Sequence, residues 1–171
     1  MFAKQLTVFI ENRSGRLSEV LGVLKTNNIN ILSLSLADTT EFGLLRLIVD
    51  NAPLGKEKLQ ENGFSSLLSD VSIIKIPHKA GSLQALLKII DESGVNIEYM
   101  YGLSIEADDA YIVLKSSNSE KVDAILSENK IETISYNVDK KFASNIKVAR
   151  PKVLIPVFPG NNCEFDSAKA V

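Results

Sequence analysis

From Lys4 to Ile10, Leu6, Val8 and Ile10 fall at every second position, the alternation of a half-buried strand. Past the loop Asn12-Arg13-Ser14-Gly15 the period changes. Leu17, Val20, Leu21 and Leu24 stand at i, i+3, i+4 and i+7, one face of a helix that Asn27-Asn28 ends. Ile29 to Ala37 and Phe42 to Val49 read as strands around the turn Asp38-Thr39-Thr40-Glu41. Pro53 suits the first turn of a second helix ending near Asn62-Gly63, and Phe64 to Leu68 reads as a short closing strand. The predicted order is βαββαβ.

That order returns once. Glu11 to Ile31 reads ENRSGRLSEVLGVLKTNNINI, and Pro77 to Ile97 reads PHKAGSLQALLKIIDESGVNI. A single ungapped offset pairs Gly15 with Gly81, Leu17 with Leu83, Leu21 with Leu87, Asn30 with Asn96 and Ile31 with Ile97. In the second copy, strands are expected at Val71 to Ile76, Val95 to Ile105, Ala110 to Lys115 and Glu132 to Tyr136. Helices are expected at Ser82 to Glu92 and Ser119 to Glu128, with a turn at Asp108-Asp109. A βαββαβ unit is a ferredoxin-like sandwich, two helices on one face of an antiparallel sheet. The expected class is therefore α+β, two tandem sandwiches over residues 1–69 and 70–138, then a linker and a strand-turn-helix tail over 139–171.

The strands carry a second message. In Phe42-Gly43-Leu44-Leu45-Arg46-Leu47-Ile48-Val49 both faces are apolar, and Ile97-Glu98-Tyr99-Met100-Tyr101 keeps Met100 on the face opposite Ile97 and the tyrosines. A sheet with helices on one side and water on the other alternates more cleanly. The second face is therefore expected to be covered as well, by another sheet or another chain, which favours a homodimer.

Composition narrows the function. Lys and Arg number 19 against 21 Asp and Glu, a formal net charge of -2, which argues against a protein built to grip nucleic acid or an anionic membrane. The single Cys excludes an internal disulfide framework and a paired-thiol metal carrier, and the single His excludes a His-rich zinc site. No apolar run reaches the ~18 residues of a membrane span, and Met1-Phe2-Ala3-Lys4 opens no signal peptide, so a cytoplasmic protein is expected. The acidic residues are scattered at turns (Asp38, Glu41, Asp108, Asp109) rather than clustered, and no nucleophile stands beside a base. An RNA-binding sheet needs stacking aromatics and basic residues, and the strand Phe42 to Val49 offers one of each. No enzyme activity, cofactor or metal is expected.

The repeated loop is the candidate site. Gly15 and Gly81 each stand between a strand end and a helix start, where unpaired N–H groups and the positive end of the helix dipole suit a small carboxylate. Asn12 and Asn30 add amides that both donate and accept, a mixture that fits the carboxylate and ammonium of an amino acid. Two roles stand open at Asn12 and Ser14, capping the helix or touching a ligand. Asn30 and Asn96 also suit plain turns after helix ends. Tyr99 and Tyr101 read as packing residues and His78 as an exposed loop histidine.

The signature Gly-x-Leu before a helix, then Asn-Ile opening the next strand, occurs twice in register over Lys4 to Val138, with Asn12 three residues before the glycine in the first copy and His78 in the second. In this it resembles tandem ACT domains, small regulatory modules that bind amino acids in biosynthetic enzymes. The resemblance implies an effector between paired modules, contacted in the first copy by Asn12, Arg13, Ser14, Gly15 and Asn30. In the second copy it implies His78, Gly81 and Asn96. Ser14 and Ala80 stand where that family usually has Pro, and His78 replaces the loop Asn. The expected function is a non-catalytic regulatory protein binding a small amino acid. The alternative is an assembly module that pairs with a metabolic enzyme and binds nothing small.

From Asp139 the character shifts to a mildly basic linker, followed by an apolar segment Val153 to Phe158, a turn Pro159-Gly160-Asn161-Asn162 and a helix start from Asp166. This PKVLIPVFPGNNCEFDSAKA stretch is similar to the beginning of the glutamine amidotransferase domain of phosphoribosylformylglycinamidine synthases. Cys163 does not match the nucleophile of that family, which sits on a later elbow.

Overall fold

The computed structural model describes residues 2–38, 42–106 and 108–134. The chain divides into two compact units, one containing Gln5–Leu68 and the other containing Ser69–Asn137 with the first residues of the chain. The tail from Asp139, with Val153 to Phe158 and Cys163, lies outside the described residues, as do Tyr136 and the turn at Thr39-Thr40-Glu41.

The first unit runs β1 (Ala3–Glu11), α1 (Arg16–Thr26), β2 (Ile31–Asp38), β3 (Phe42–Val49), α2 (Ala52–Glu61) and the opening of β4 (Ser65–Pro77). Its strand order is β2-β3-β1-β4. β1 and β3 are antiparallel with Leu6 opposite Leu47 and Val8 opposite Leu45, while Leu34 of β2 lies on the other side of Leu47. That register sends Leu6, Val8, Ile10, Leu45, Leu47 and Val49 to one face, where Leu17, Val20 and Leu24 of α1 and Leu59 of α2 close the core. The helical spacing of Leu17, Val20 and Leu24 is what lets one short helix present all three to the sheet. α2 comes close to the sheet through Gly55, where a Cβ would meet Leu6 Cδ2 at 3.0 Å.

The second unit repeats the plan with the remainder of β4, α3 (Ser82–Asp91), β5 (Ile97–Glu106), β6 (Asp109–Ser116), α4 (Ser119–Glu128) and β7 (Thr133–Ile134). β4 pairs β6 antiparallel with Ile74 opposite Ile112, β5 flanks β6, and β7 flanks β4 with Ile134 opposite Ile73. Its core joins Ile74, Ile76 and Leu114 to Leu86, Ile90, Val122 and Leu126 of the helices. Two βαββαβ modules of mixed α and β structure are thus present.

One feature differs from the sequence reading. The strands expected at Phe64 to Leu68 and Val71 to Ile76 are one thirteen-residue strand, β4. The stretch SSLLSDVSIIKIP has no Gly and reaches Pro only at its last position, so nothing forces a turn. Ser69 and Asp70, which fall between the two expected strands, are strand residues. On the faces turned away from the helices, Ile48, Ile73 and Val113 are 1%, 0% and 0% exposed, while Phe9 of β1 is 41% exposed.

Helix starts fall into two kinds. Asn51 caps α2 by accepting from the Leu54 N–H at 3.1 Å, and Asn118 caps α4 by accepting from the Lys121 N–H at 2.9 Å. At α1 and α3 the N-cap residue is a glycine, which brings no side chain to the turn. Replacing Asn51 or Asn118 by Ala is expected to lower unfolding free energy by about 1 kcal/mol each. Urea denaturation checks this, and no loss in either variant would show that these caps contribute nothing.

Candidate functional site

Gly15 adopts φ 86° and ψ -18°, and Gly81 adopts φ 88° and ψ -17°. Both are left-handed, a conformation that costs an L-residue about 1–2 kcal/mol. A Cβ built on either would meet nothing within 4 Å, so glycine is required by backbone angle and not by crowding. The surrounding hydrogen bonds repeat too. Arg16 N–H donates to Arg13 O and Glu19 N–H to Gly15 O, while Ser82 N–H donates to Lys79 O and Ala85 N–H to Gly81 O. The chain therefore leaves β1 and β4 by the same sharp turn, which bonds the first helical amide, Arg16 or Ser82, back into the loop and leaves the next two without an intrahelical partner.

Among the residues expected at the first site, Asn12, Arg13, Ser14 and Gly15 form an exposed loop. Arg13 is held by Glu11, Nε to Oε2 at 2.6 Å, with both side chains more than half exposed. Neither Asn12 nor Ser14 is the N-cap residue of α1, which is Gly15. Asn30 is exposed at the opening of β2, and its backbone is tied to Asp50: its N–H donates to Oδ1 at 3.0 Å and its carbonyl accepts from the Asp50 N–H at 3.1 Å. The second copy keeps the latter tie, with Asn96 O accepting from the Ser117 N–H at 3.0 Å.

In the second module Gly81 and Asn96 line one open cleft of about 930 Å³, with Gln84, Lys88 and Asp91 along its wall. His78 lines neither this cleft nor its neighbour; it is exposed, and its N–H donates to Asp108 O at 2.6 Å. The neighbouring cleft, about 520 Å³, also borders Gly81 but lies on the side of α3 toward Lys75, Asp109, Lys130 and Glu132. Lys75 Nζ is 3.0 Å from Asp109 Oδ2 and 3.6 Å from Glu132 Oε2. The hydrogen bond to Asp109, then the charges of Asp109 and Glu132, hold its ammonium above the ordinary lysine value.

Sequence reasoning missed this charged group, because β4–β6 pairing and the Lys75 N–H to Glu132 O bond bring it together across distant segments. Arg16 was missed as well. Its guanidinium lies 4.6 Å from the centre of the Phe64 ring and binds Glu19 Oε2 through Nη1 at 2.5 Å. A charged residue at a helix start reads as solvated, and only the fold lays it over an aromatic ring. No group of three or more metal-ligating side chains occurs among the described residues, and no helix there is long and apolar enough to cross a membrane.

Residues 1–144 match the family described as an ACT domain pair. The chain belongs to that family. Among relatives of this ACT domain pair is the small subunit of acetolactate synthase isozyme 3 from Salmonella typhimurium, 29% identical over 133 residues that cover 71% of this chain and 80% of that protein. A protein of Bacteroides thetaiotaomicron with a crystal structure is 38% identical, with a TM-score of 0.76 over 80% of this chain and 94% of that one. The ligand-free regulatory subunit of aspartate kinase from Thermus thermophilus shares the fold, with a TM-score of 0.56 at 16% identity over 72% of this chain and 87% of that one.

Two outcomes follow for this ACT pair. Gly81→Ala should cost about 1–2 kcal/mol from backbone strain alone, since its new methyl has room; an unchanged urea midpoint would show that the turn relaxes. Because the folded pKa of Lys75 is raised, its ion cluster contributes fully at neutral pH and loses that contribution only as pH climbs through the raised value. An NMR titration of the Lys75 side chain should show deprotonation at higher pH in folded than in urea-unfolded protein, and coincident curves would refute the pairing.

Proposed function

We propose that this ACT domain pair is a non-catalytic regulatory subunit that binds a small amino acid at the Gly15 and Gly81 turns and transmits its occupancy to a biosynthetic enzyme in the cytoplasm. The observation that carries the reading is the duplicated left-handed glycine turn. It leaves two helix starts without an N-cap side chain, while the other two helices of the same chain are capped by asparagine. Helix N-termini favour carboxylates, and the amides of Asn12, Asn30 and Asn96 would complete contacts to an α-ammonium or carboxylate. Arg13 and Ser14 border the first turn. His78, exposed beside the second, is the weakest member of the set, and Gly81 with Asn96 on one cleft is the strongest.

The kinship with a small subunit of acetolactate synthase supports a partner enzyme for this chain too. It equally supports the second reading, in which the modules only dock onto that enzyme. In either case the chain is expected to act as a homodimer whose modules pair across subunits. An allosteric coupling of about 1–3 kcal/mol between effector and enzyme is the ordinary range for such a device.

Isothermal calorimetry and thermal shift with each of the twenty amino acids test the reading on the whole chain. One or a few small amino acids should bind and raise the melting temperature. Asn30→Ala or Asn96→Ala should weaken binding by about tenfold, the value of one hydrogen bond to a charged group, while leaving the ligand-free melt unchanged. Silence with all twenty would remove effector binding and leave the docking function, which co-purification with a catalytic subunit would then establish.

A further inference from the structure

The two modules are repeats, so a position in one has a counterpart in the other, and the cleft of about 520 Å³ beside Lys75 falls where the repeats differ in side-chain bulk. The alignment is fixed structurally at both ends. Gly15 and Gly81 share one conformation before the helix, so Arg16 corresponds to Ser82. After α2 and α4 the chain turns identically: Phe64 N–H donates to Leu59 O at 3.0 Å, and Ile131 N–H donates to Leu126 O at 2.8 Å, so Phe64 corresponds to Ile131.

In the first module this place is filled. Phe64 is 5% exposed, the Arg16 guanidinium covers its ring, and Glu19 and Glu11 hold the guanidinium. In the second module all four of these positions carry smaller or neutral side chains: Ile131, Ser82, Ala85 and Pro77 line a cleft instead. The loss of an aromatic ring, a guanidinium and two carboxylates at one place opens space with an apolar floor of Ala85, Leu86, Ile89 and Ile131.

The rim has changed as well. Lys75 is occupied by Asp109 and Glu132, but Lys79 and Lys130 have no ion-pair partner among the described residues. Lys130 occupies the left-handed position after the helix, φ 56°, where the first module places Gly63 at φ 82°. A lysine therefore stands at the lip of the cleft in a conformation that glycine adopts freely. Ser82 also lines the cleft, and its hydroxyl is shut off from solvent with no hydrogen-bond partner among the described residues. Two unpaired ammoniums above an aliphatic floor match one ligand chemistry, a carboxylate carrying a branched or straight aliphatic body of a few carbons.

We infer that the second module holds a binding site for a small aliphatic monocarboxylate in the cleft between α3, β4 and the segment 130–132 after α4, a site whose counterpart in the first module Arg16 and Phe64 plug. The site does not use Asn30 or Asn96 and stands whether or not the amino-acid reading holds. A plain aliphatic acid and an aliphatic amino acid share the recognised chemistry, and the experiment separates them.

The test titrates the full chain with 4-methylpentanoate and, separately, with leucine, following backbone amide shifts and heat. Binding of either should move amides around Ser82, Ala85 and Ile131. The stronger of the two identifies the source, since only leucine brings an ammonium. Ser82→Arg, which restores the plug, should weaken binding at this place at least tenfold. Circular dichroism checks that Ser82→Arg folds, and Ile131→Phe fills the same space if it does not. Absence of shifts at Ser82, Ala85 and Ile131 with both ligands at millimolar concentration, or undiminished affinity in a folded plug variant, overturns the inference.

Discussion

The turn from strand to helix at Gly15 and again at Gly81 governs much else in this protein. An inner strand, β1 or β4, delivers the chain at its end, and the following helix must lie back over the sheet within a few residues. With φ near 87° at the glycine, the chain reverses within the loop, and Leu17, Val20 and Leu24 land on Leu6, Val8 and Ile10. The second module repeats this with Leu86 and Ile90 over Ile74 and Ile76. Because only glycine takes that angle without strain, the helix start has no N-cap side chain of its own. The same constraint that assembles the core thus leaves these two helix starts without a side-chain cap.

Duplication allowed the two copies to diverge around a common frame. Backbone features persist across the repeat: the glycine turn, the tie from the strand opening at Asn30 or Asn96 to the end of the third strand, and the turn after the second helix. Side chains that fill space around that frame do not persist. Arg16 stacked on Phe64 completes the first module, and Ser82 with Ile131 leaves the second open. A frame held by hydrogen bonds tolerates this, because each module keeps a buried cluster of its own.

Much of this was legible in the sequence, and for identifiable reasons. The ungapped offset pairing Gly15 with Gly81 and Asn30 with Asn96 gave the repeat and the βαββαβ order, because period and turn residues are local signals. Apolar residues on both faces of Phe42 to Val49 anticipated the burial of Ile48. The single strand β4 reads as two in the sequence because Ser69 and Asp70 resemble a turn when their strand partners are unseen. The Lys75, Asp109 and Glu132 cluster depends on the register of β4 against β6 and β7, which composition does not carry. One available signal went unused: comparing side-chain size at repeat-equivalent positions, Arg16 with Ser82 and Phe64 with Ile131, marks the place where the modules part.

The central claim is that the open amides at the two glycine turns are where a small zwitterion is recognised. Recording backbone amide shifts of the uniformly labelled chain across an amino-acid series reads those amides directly. The account predicts that the bound amino acid moves the resonances of Arg16, Leu17 and Ser18, or of Ser82, Leu83 and Gln84, more than those at the starts of α2 and α4. A binding amino acid that leaves both glycine turns undisturbed and shifts resonances elsewhere would contradict it.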